Sequence, residues 1–214
     1  MPPTLPNTLT NGTTADAAQV MANFNAINAA VDQATVTSLP GSPYDGQEIY
    51  YLADATNGIV WHLKYRAASA SAYKWECVGG ASLRAFVSAV ENLANGGGWT
   101  NLTTSGPSVT APLAGDYSVK VAHYFRHGDA SGIGYAGVGV GGASPPTSSY
   151  GADTNTYGEA NGVANHPGVT LTREWLITAV VAANALKMMY QAGGSASVGV
   201  FGGRSLVVVP VRVG

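Results

Sequence analysis

Two histidines, His123 and His127, stand four apart in His-Tyr-Phe-Arg-His. On a helix that spacing turns both imidazoles toward one metal ion. Here the surrounding residues alternate with a period of two, so a strand carries both on its apolar face. They read as core or inter-chain histidines, and no Cys, His and carboxylate cluster completes a zinc site. The run Gly132-Ile133-Gly134-Tyr135-Ala136-Gly137 matches GxGxxG by letter. Val138-Gly139-Val140-Gly141 then continues a strand, where a dinucleotide site needs a helix N-terminus over the pyrophosphate. Its glycines are expected where neighbouring strands approach too closely for side chains. No G-x-S-x-G elbow presents a nucleophilic serine. The 12 acidic residues are scattered, without the carboxylate pair that glycoside hydrolysis requires. Cys77 alternates with charged neighbours and reads as core. The expectation is a protein with no catalytic residue, no metal and no cofactor, hence not an enzyme.

Composition points the same way. Of 214 residues, 10 are Lys or Arg and 12 are Asp or Glu. That is 10% charged, against roughly 25% in an ordinary soluble domain. The hydrophobic share of 46% supports a packed core and excludes a disordered polyelectrolyte. A net charge of −2 excludes a nucleic-acid binder working through a basic field. The longest helix-like apolar run, residues 176–186, is about half the roughly 20 residues that cross a bilayer, so no membrane partner is expected. One cysteine cannot form an internal disulfide. The start Met1-Pro2-Pro3-Thr4-Leu5-Pro6 has neither basic nor apolar signal regions, so synthesis without a signal peptide is expected. So few charges leave a lone domain poorly soluble, which suggests that much of the surface is buried in an assembly.

The elements that would position these residues fall into three segments. Residues 1–37 read as an extended arm followed by a helix, with Thr13-Thr14-Ala15-Asp16 as a capping box. Ala17, Val20, Phe24, Ile27 and Val31 are spaced 3, 4, 3, 4, an a/d seam of about two heptads. The seam packs either on its own domain or in a short parallel bundle, and these five residues are the candidate oligomer interface. After a turn-rich loop over 38–46, residues 47–80 alternate as a small three-stranded meander with an aromatic face. Ile59, Trp61, Leu63 and Tyr65 share one side of its second strand, and Tyr73, Trp75 and Cys77 one side of its third. Such a meander needs a cover. Residues 81–214 read as strands near 83–92, 107–112, 115–126, 133–141, 169–180, 184–191, 196–201 and 204–213. That count indicates a β-sandwich of jelly-roll type. The expected fold class is mainly β. In the strand 115–126, Tyr117, Val119, Val121, His123 and Phe125 form one face. A long polar loop, 142–168, holds Tyr150, Asp153, Tyr157, Asn165 and His166, the candidate receptor-binding residues.

Three stretches resemble a known group of proteins. Leu5-Pro6-Asn7-Thr8-Leu9-Thr10-Asn11-Gly12-Thr13 with Ala22-Asn23-Phe24-Asn25-Ala26 resembles the virion-anchoring N-termini of bacteriophage fibre and spike proteins. Tyr44-Asp45-Gly46-Gln47-Glu48-Ile49-Tyr50-Tyr51-Leu52-Ala53-Asp54, Trp61-His62-Leu63-Lys64-Tyr65-Arg66 and Tyr73-Lys74-Trp75-Glu76 resemble a β-module of phage structural proteins. Trp99-Thr100-Asn101-Leu102, Gly106-Pro107-Ser108-Val109-Thr110, Gly115-Asp116-Tyr117 and the final Arg204–Val213 run are similar to C-terminal domains of phage tail-fibre and minor tail proteins, which resemble trimeric tumour-necrosis-factor and C1q jelly rolls. The resemblance implies a homotrimer on the virion surface. Residues 1–20 would attach it to capsid or tail proteins, the helix would form a trimeric bundle, and the jelly roll would point outward. Made in the bacterial cytoplasm, such a short head fibre, tail fibre or spike is expected to adhere to host-cell carbohydrate. A purely structural capsid decoration is the alternative reading, and a polysaccharide depolymerase the lesser one.

Overall fold

A computed structural model describes residues 6, 8, 16–31, 35–127, 132–144, 156–161, 168–193 and 198–214. At 27–31, 127, 132–133, 156–161 and 169 the description is of backbone alone. The described chain is mainly β, with one helix and thirteen strands. It divides into two compact units, residues 1–70 with 74–80, and 71–73 with 81–214.

The first unit begins with helix α1 (Ala17–Val31). Its cap is Asp16, whose Oδ1 accepts from the Ala18 amide at 2.9 Å while its carbonyl takes the first helical bond from Val20 at 3.1 Å. The sequence reading had put the cap at Thr13. Asp16 satisfies an orphan amide nearer the start, and Thr13 lies outside the described residues. After α1 come β1 (Thr35–Val36), β2 (Glu48–Asp54), β3 (Ile59–Tyr65) and β4 (Trp75–Gly80). The β2–β3 hairpin turns where Asp54 Oδ1 accepts from Thr56 N at 2.9 Å and Asn57 N at 3.1 Å. Hydrogen bonds from Asn57, then Thr56, hold the Asp54 carboxyl below its ordinary range against a small opposing effect of burial. The meander is antiparallel, β2–β3–β4, with β1 added in parallel to β2. Its aromatic face is buried within the single chain: Trp61 and Leu63 are fully covered, and Ile49, Tyr51 and Trp75 nearly so. Tyr73 precedes β4 instead of joining it.

The second unit is a two-sheet sandwich. One sheet runs β13–β8–β11, with β5 (Leu83–Val87) and β6 (Glu91–Leu93) pairing successive parts of β13 (Gly199–Val213). Its other members are β8 (Gly115–His127) and β11 (Val169–Val180). The second sheet has the order β10–β9–β12–β7, from β7 (Ser108–Thr110), β9 (Gly132–Val140), β10 (Thr156–Asn161) and β12 (Ala185–Gly193). From β7 to β13 the chain passes repeatedly between the two sheets, the winding of a jelly roll.

The core lies between the sheets. Tyr117, Val119, Val121, His123 and Phe125 on β8 are all fully buried, as are Leu186, Met188 and Tyr190 on β12. Phe201 of β13 bridges the layers, its ring 5.1 Å from those of both Phe125 and Tyr190. A Cβ on Gly134 would overlap the Phe125 ring, so this glycine in the GxGxxG run serves close packing of one sheet on the other.

Three strand boundaries differ from the sequence reading. The stretch expected as one strand over 83–92 is two, β5 and β6, and the two expected over 196–213 are one, β13. Both differences arise at one place. Gly202-Gly203 bulges instead of turning, with Gly203 at φ 52° and a register shift between Gly202 and Ser205. Opposite this bulge the pairing strand breaks between β5 and β6, and the Val90 side chain packs over Gly202. Thirdly, the long loop contains β10, antiparallel to β9. Pro210 is tolerated inside β13 because the ladder shifts register between Pro210 and Arg212.

Candidate functional site

Where its side chains are described, the expected oligomer seam is open at Ala17 and Phe24 and half-covered at Val20. Phe24 is 58% exposed, while the buried residue of that turn is Asn23. Ile27 and Val31 lie on α1 by backbone, their side chains outside the described residues. Of the receptor-loop candidates, Tyr157 falls on β10, in register with Ala136. Tyr150, Asp153, Asn165 and His166 lie outside the described residues.

His123 and Cys77 are structural here, and the His127 side chain lies outside the described residues. His123 faces the core, its ring 5.9 Å from that of Phe201, and burial pushes its pKa down to about 4. Its neutral imidazole therefore behaves as a core group. The Cys77 thiol is half-buried; burial pushes its pKa up, making it a poor nucleophile. Among the described residues no three His, Cys, Asp or Glu side chains group as metal ligands, and no helix is long and apolar enough to cross a membrane.

Two surfaces of the sandwich stand out. The first is the outer face of the β5–β13–β8–β11 sheet. Alternation turns Leu206 and Val208 inward and Val207, Val209 and Val211 outward. Register sets Ser118 between Val209 and Leu176, and Ser205 beside Phe86. Phe86 is 65% and Leu176 60% exposed, with Val209 and Val211 also open to solvent. A shallow hollow lies between β5 and β13 on the same face, lined by Arg84, Phe86 and Val207.

The second is a cleft of about 360 Å³ on the outer face of the other sheet. Lys187 and Met189 of β12, Ser108 of β7 and Gly139 of β9 form its base, and Asn101, Ser105, Gly142 and Ala143 its rim. The base is set by register, Lys187 lying between Ser108 and Gly139 on the two neighbouring strands. Each rim has its own fastening. On one side Gly141 and Gly142, at φ 60° and 88°, turn the chain back, with Gly141 N donating to Ala185 O at 2.9 Å and Ala143 N to Val140 O at 3.1 Å. This turn opens the long polar loop.

On the other side the segment 94–107 is bound along the edge of β12. Thr100 and Tyr190 exchange both backbone hydrogen bonds at 2.9 Å. Arg204, fully buried, donates from Nη1 to Thr104 O at 3.1 Å and from Nη2 to Glu91 Oε2 at 3.3 Å. Its guanidinium lies 5.4 Å from the Tyr190 ring centre. Glu91 Oε1 accepts from Thr104 N at 2.9 Å. Hydrogen bonds from Thr104, aided by the Arg204 charge, hold the Glu91 carboxyl below its ordinary range. Trp99 closes the segment with an edge contact to Tyr135 at 6.4 Å. Sequence reasoning missed this cleft. The outward row Lys187, Met189, Gln191 is readable in the alternation of β12, but which strands flank it is a matter of topology.

No protein-family model and no curated protein matches the chain. Solved structures with some likeness include that of the infectious bursal disease virus Gx strain, at 10% identity and a TM-score of 0.43, covering 81% of this chain and 53% of that one. Another is the Eiger TNF of S. frugiperda, at 10% identity and 0.39, covering 63% and 95%. A third is the infectious bursal disease virus VP2 subviral particle, at 13% identity and 0.37, covering 83% and 47%. This chain spans about half the length of the two bursal-disease-virus chains. At these levels no property of the chain follows from the likeness, and its assignment as a jelly-roll β-sandwich rests on its own strand order.

Proposed function

We propose that this protein is a non-enzymatic structural protein of a bacteriophage virion surface, a short homotrimeric fibre or spike. It attaches to the particle through its N-terminal residues and adheres to host-surface glycan through its jelly-roll unit. The observation that carries the reading is the outer face of the β5–β13–β8–β11 sheet. Phe86, Leu176, Val209 and Val211 are left in solvent. These apolar side chains stand on one face among Ser118, Lys120 and Glu174, a mixture of apolar and polar groups such as protein interfaces carry. The uncovered Phe24 on α1 supports the same reading, since a seam open in one chain is closed by parallel copies. With only 10% charged residues, burying these faces between copies also answers the solubility problem.

Adhesion is tested by applying the purified oligomer to host cells and to arrays of their surface polysaccharides. Binding that falls on Tyr150→Ala or Tyr157→Ala supports the adhesin reading. An intact oligomer that decorates virions but binds neither cells nor polysaccharide overturns adhesion and leaves a capsid or tail decoration.

A further inference from the structure

We propose that the cleft on the outer face of the β7–β12–β9 sheet is a subsite for a carboxylated sugar residue, of the hexuronic-acid class, with Lys187 as its charge anchor. The proposal rests on the glycan-adhesin reading and names the ligand chemistry that the fold prepares at one place.

Four observations carry it. At about 360 Å³ the cleft sits at the low end of the about 300–1,000 Å³ typical of small-ligand sites, enough for one sugar ring with its substituents. Lys187 is half-buried at its base and has no hydrogen-bond or ion-pair acceptor among the described residues. The described lining holds no carboxylate to neutralise that ammonium, while Ser105, Ser108 and Asn101 set neutral donors and acceptors around it. Both rims are fixed before any ligand arrives, one by the Gly141-Gly142 turn and one by the buried Arg204–Glu91–Thr104 cluster. Preformed walls lower the ordering cost of binding.

The chemistry selects among ligands. One ammonium ringed by hydroxyls and an amide matches one carboxylate on a polyhydroxylated ring. A nucleic acid would need several cations and stacking rings, and the lining has neither. A wholly neutral sugar would leave the ammonium without its anion.

The test uses the full-length protein with galacturonic acid trimer, its methyl ester and a neutral galactose trimer as probes. Calorimetry should detect the acid trimer, with binding that weakens as salt rises, and at least tenfold weaker binding of the ester and the neutral sugar. Lys187→Ala should weaken acid binding by about ten- to a hundredfold, the range of a charge-assisted hydrogen bond. Lys187→Arg should recover part of it, and Lys64→Ala, which removes a positive charge elsewhere, should change nothing. In the unmutated protein, amide resonances of Ser105, Ser108 and Lys187 should shift on titration, so the site is located even without a folded variant. Equal binding of acid and ester, an equal loss from Lys64→Ala, or shifts confined to other residues would each overturn the proposal. Cell adhesion that persists while the acid trimer fails to bind rejects the subsite alone. Absence of cell adhesion by the unmutated protein rejects the adhesin reading beneath it.

Discussion

Among the described residues Arg204 is the one Asp, Glu, Lys or Arg side chain that is buried. It is fully buried, bonded to Thr104 O and Glu91, and stacked beside Tyr190. Removing one partner of such a cluster strands the other groups. Arg204→Ala should therefore lower unfolding stability by about 3 kcal/mol in urea titrations. It should also speed amide exchange at Thr100 and Thr104, because their segment loses its anchor. His123 gives a pH signature. Unfolded, it takes up a proton below about pH 6.5; folded, it does so only near pH 4. Between those values the unfolded chain binds more protons, so stability is intact above about 6.5 and falls as pH drops toward 4, by about 3 kcal/mol in all. His123→Leu should flatten that part of the stability–pH curve. Losses from Glu48, Asp54 and Glu91, whose pKa values are lowered, come at more acid pH. The inward direction of His123 is legible from the period of two in 115–126. The role of Arg204 is not, because an inward arginine is paired by residues about a hundred positions away in sequence.

Among the elements, β9 and β13 show what local pattern can and cannot reveal. Gly134 is readable as a packing glycine instead of a phosphate cradle, because no helix follows it, but what it makes room for is a ring of the facing sheet and not the neighbouring strand that the sequence pattern suggests. The partner of Gly134, the Phe125 ring, is fully buried and packs against Phe201 at 5.1 Å between ring centres. Gly134→Ala should cost about 1–3 kcal/mol by overpacking, read as a lower urea midpoint with unchanged slope. Ala183 has a left-handed backbone at φ 64°, a strained conformation for any residue with a Cβ. Ala183→Gly should therefore raise stability, by about 0.5–1 kcal/mol. Hidden from the sequence were the joining of 199–213 into one strand and the short β10. A Gly-Gly pair reads as a turn, and only the opposing break between β5 and β6 makes it a bulge. The jelly roll was legible because strand count and alternation survive such errors. The cleft was not, because it is made by strands that neighbour β12 only through the crossovers.

At the scale of the whole molecule, a scarcity of charge and two uncovered apolar surfaces call for a common explanation. The proposed trimer is one such explanation, since copies of the chain can cover the α1 seam in one unit and the outer face of the β5–β13–β8–β11 sheet in the other. The account then predicts that charge placed on that face breaks the assembly without unfolding the chain. Phe86→Glu should yield monomers with unchanged circular dichroism. In the proposed assembly the opposite sheet, with the Lys187 cleft, is the face left to meet the host. The most direct test is the mass of the unmutated protein in solution by light scattering or native mass spectrometry. A particle of three times 21.8 kDa is the predicted result. A clean 21.8 kDa monomer at micromolar concentration would contradict the trimer and the virion-spike reading built on it.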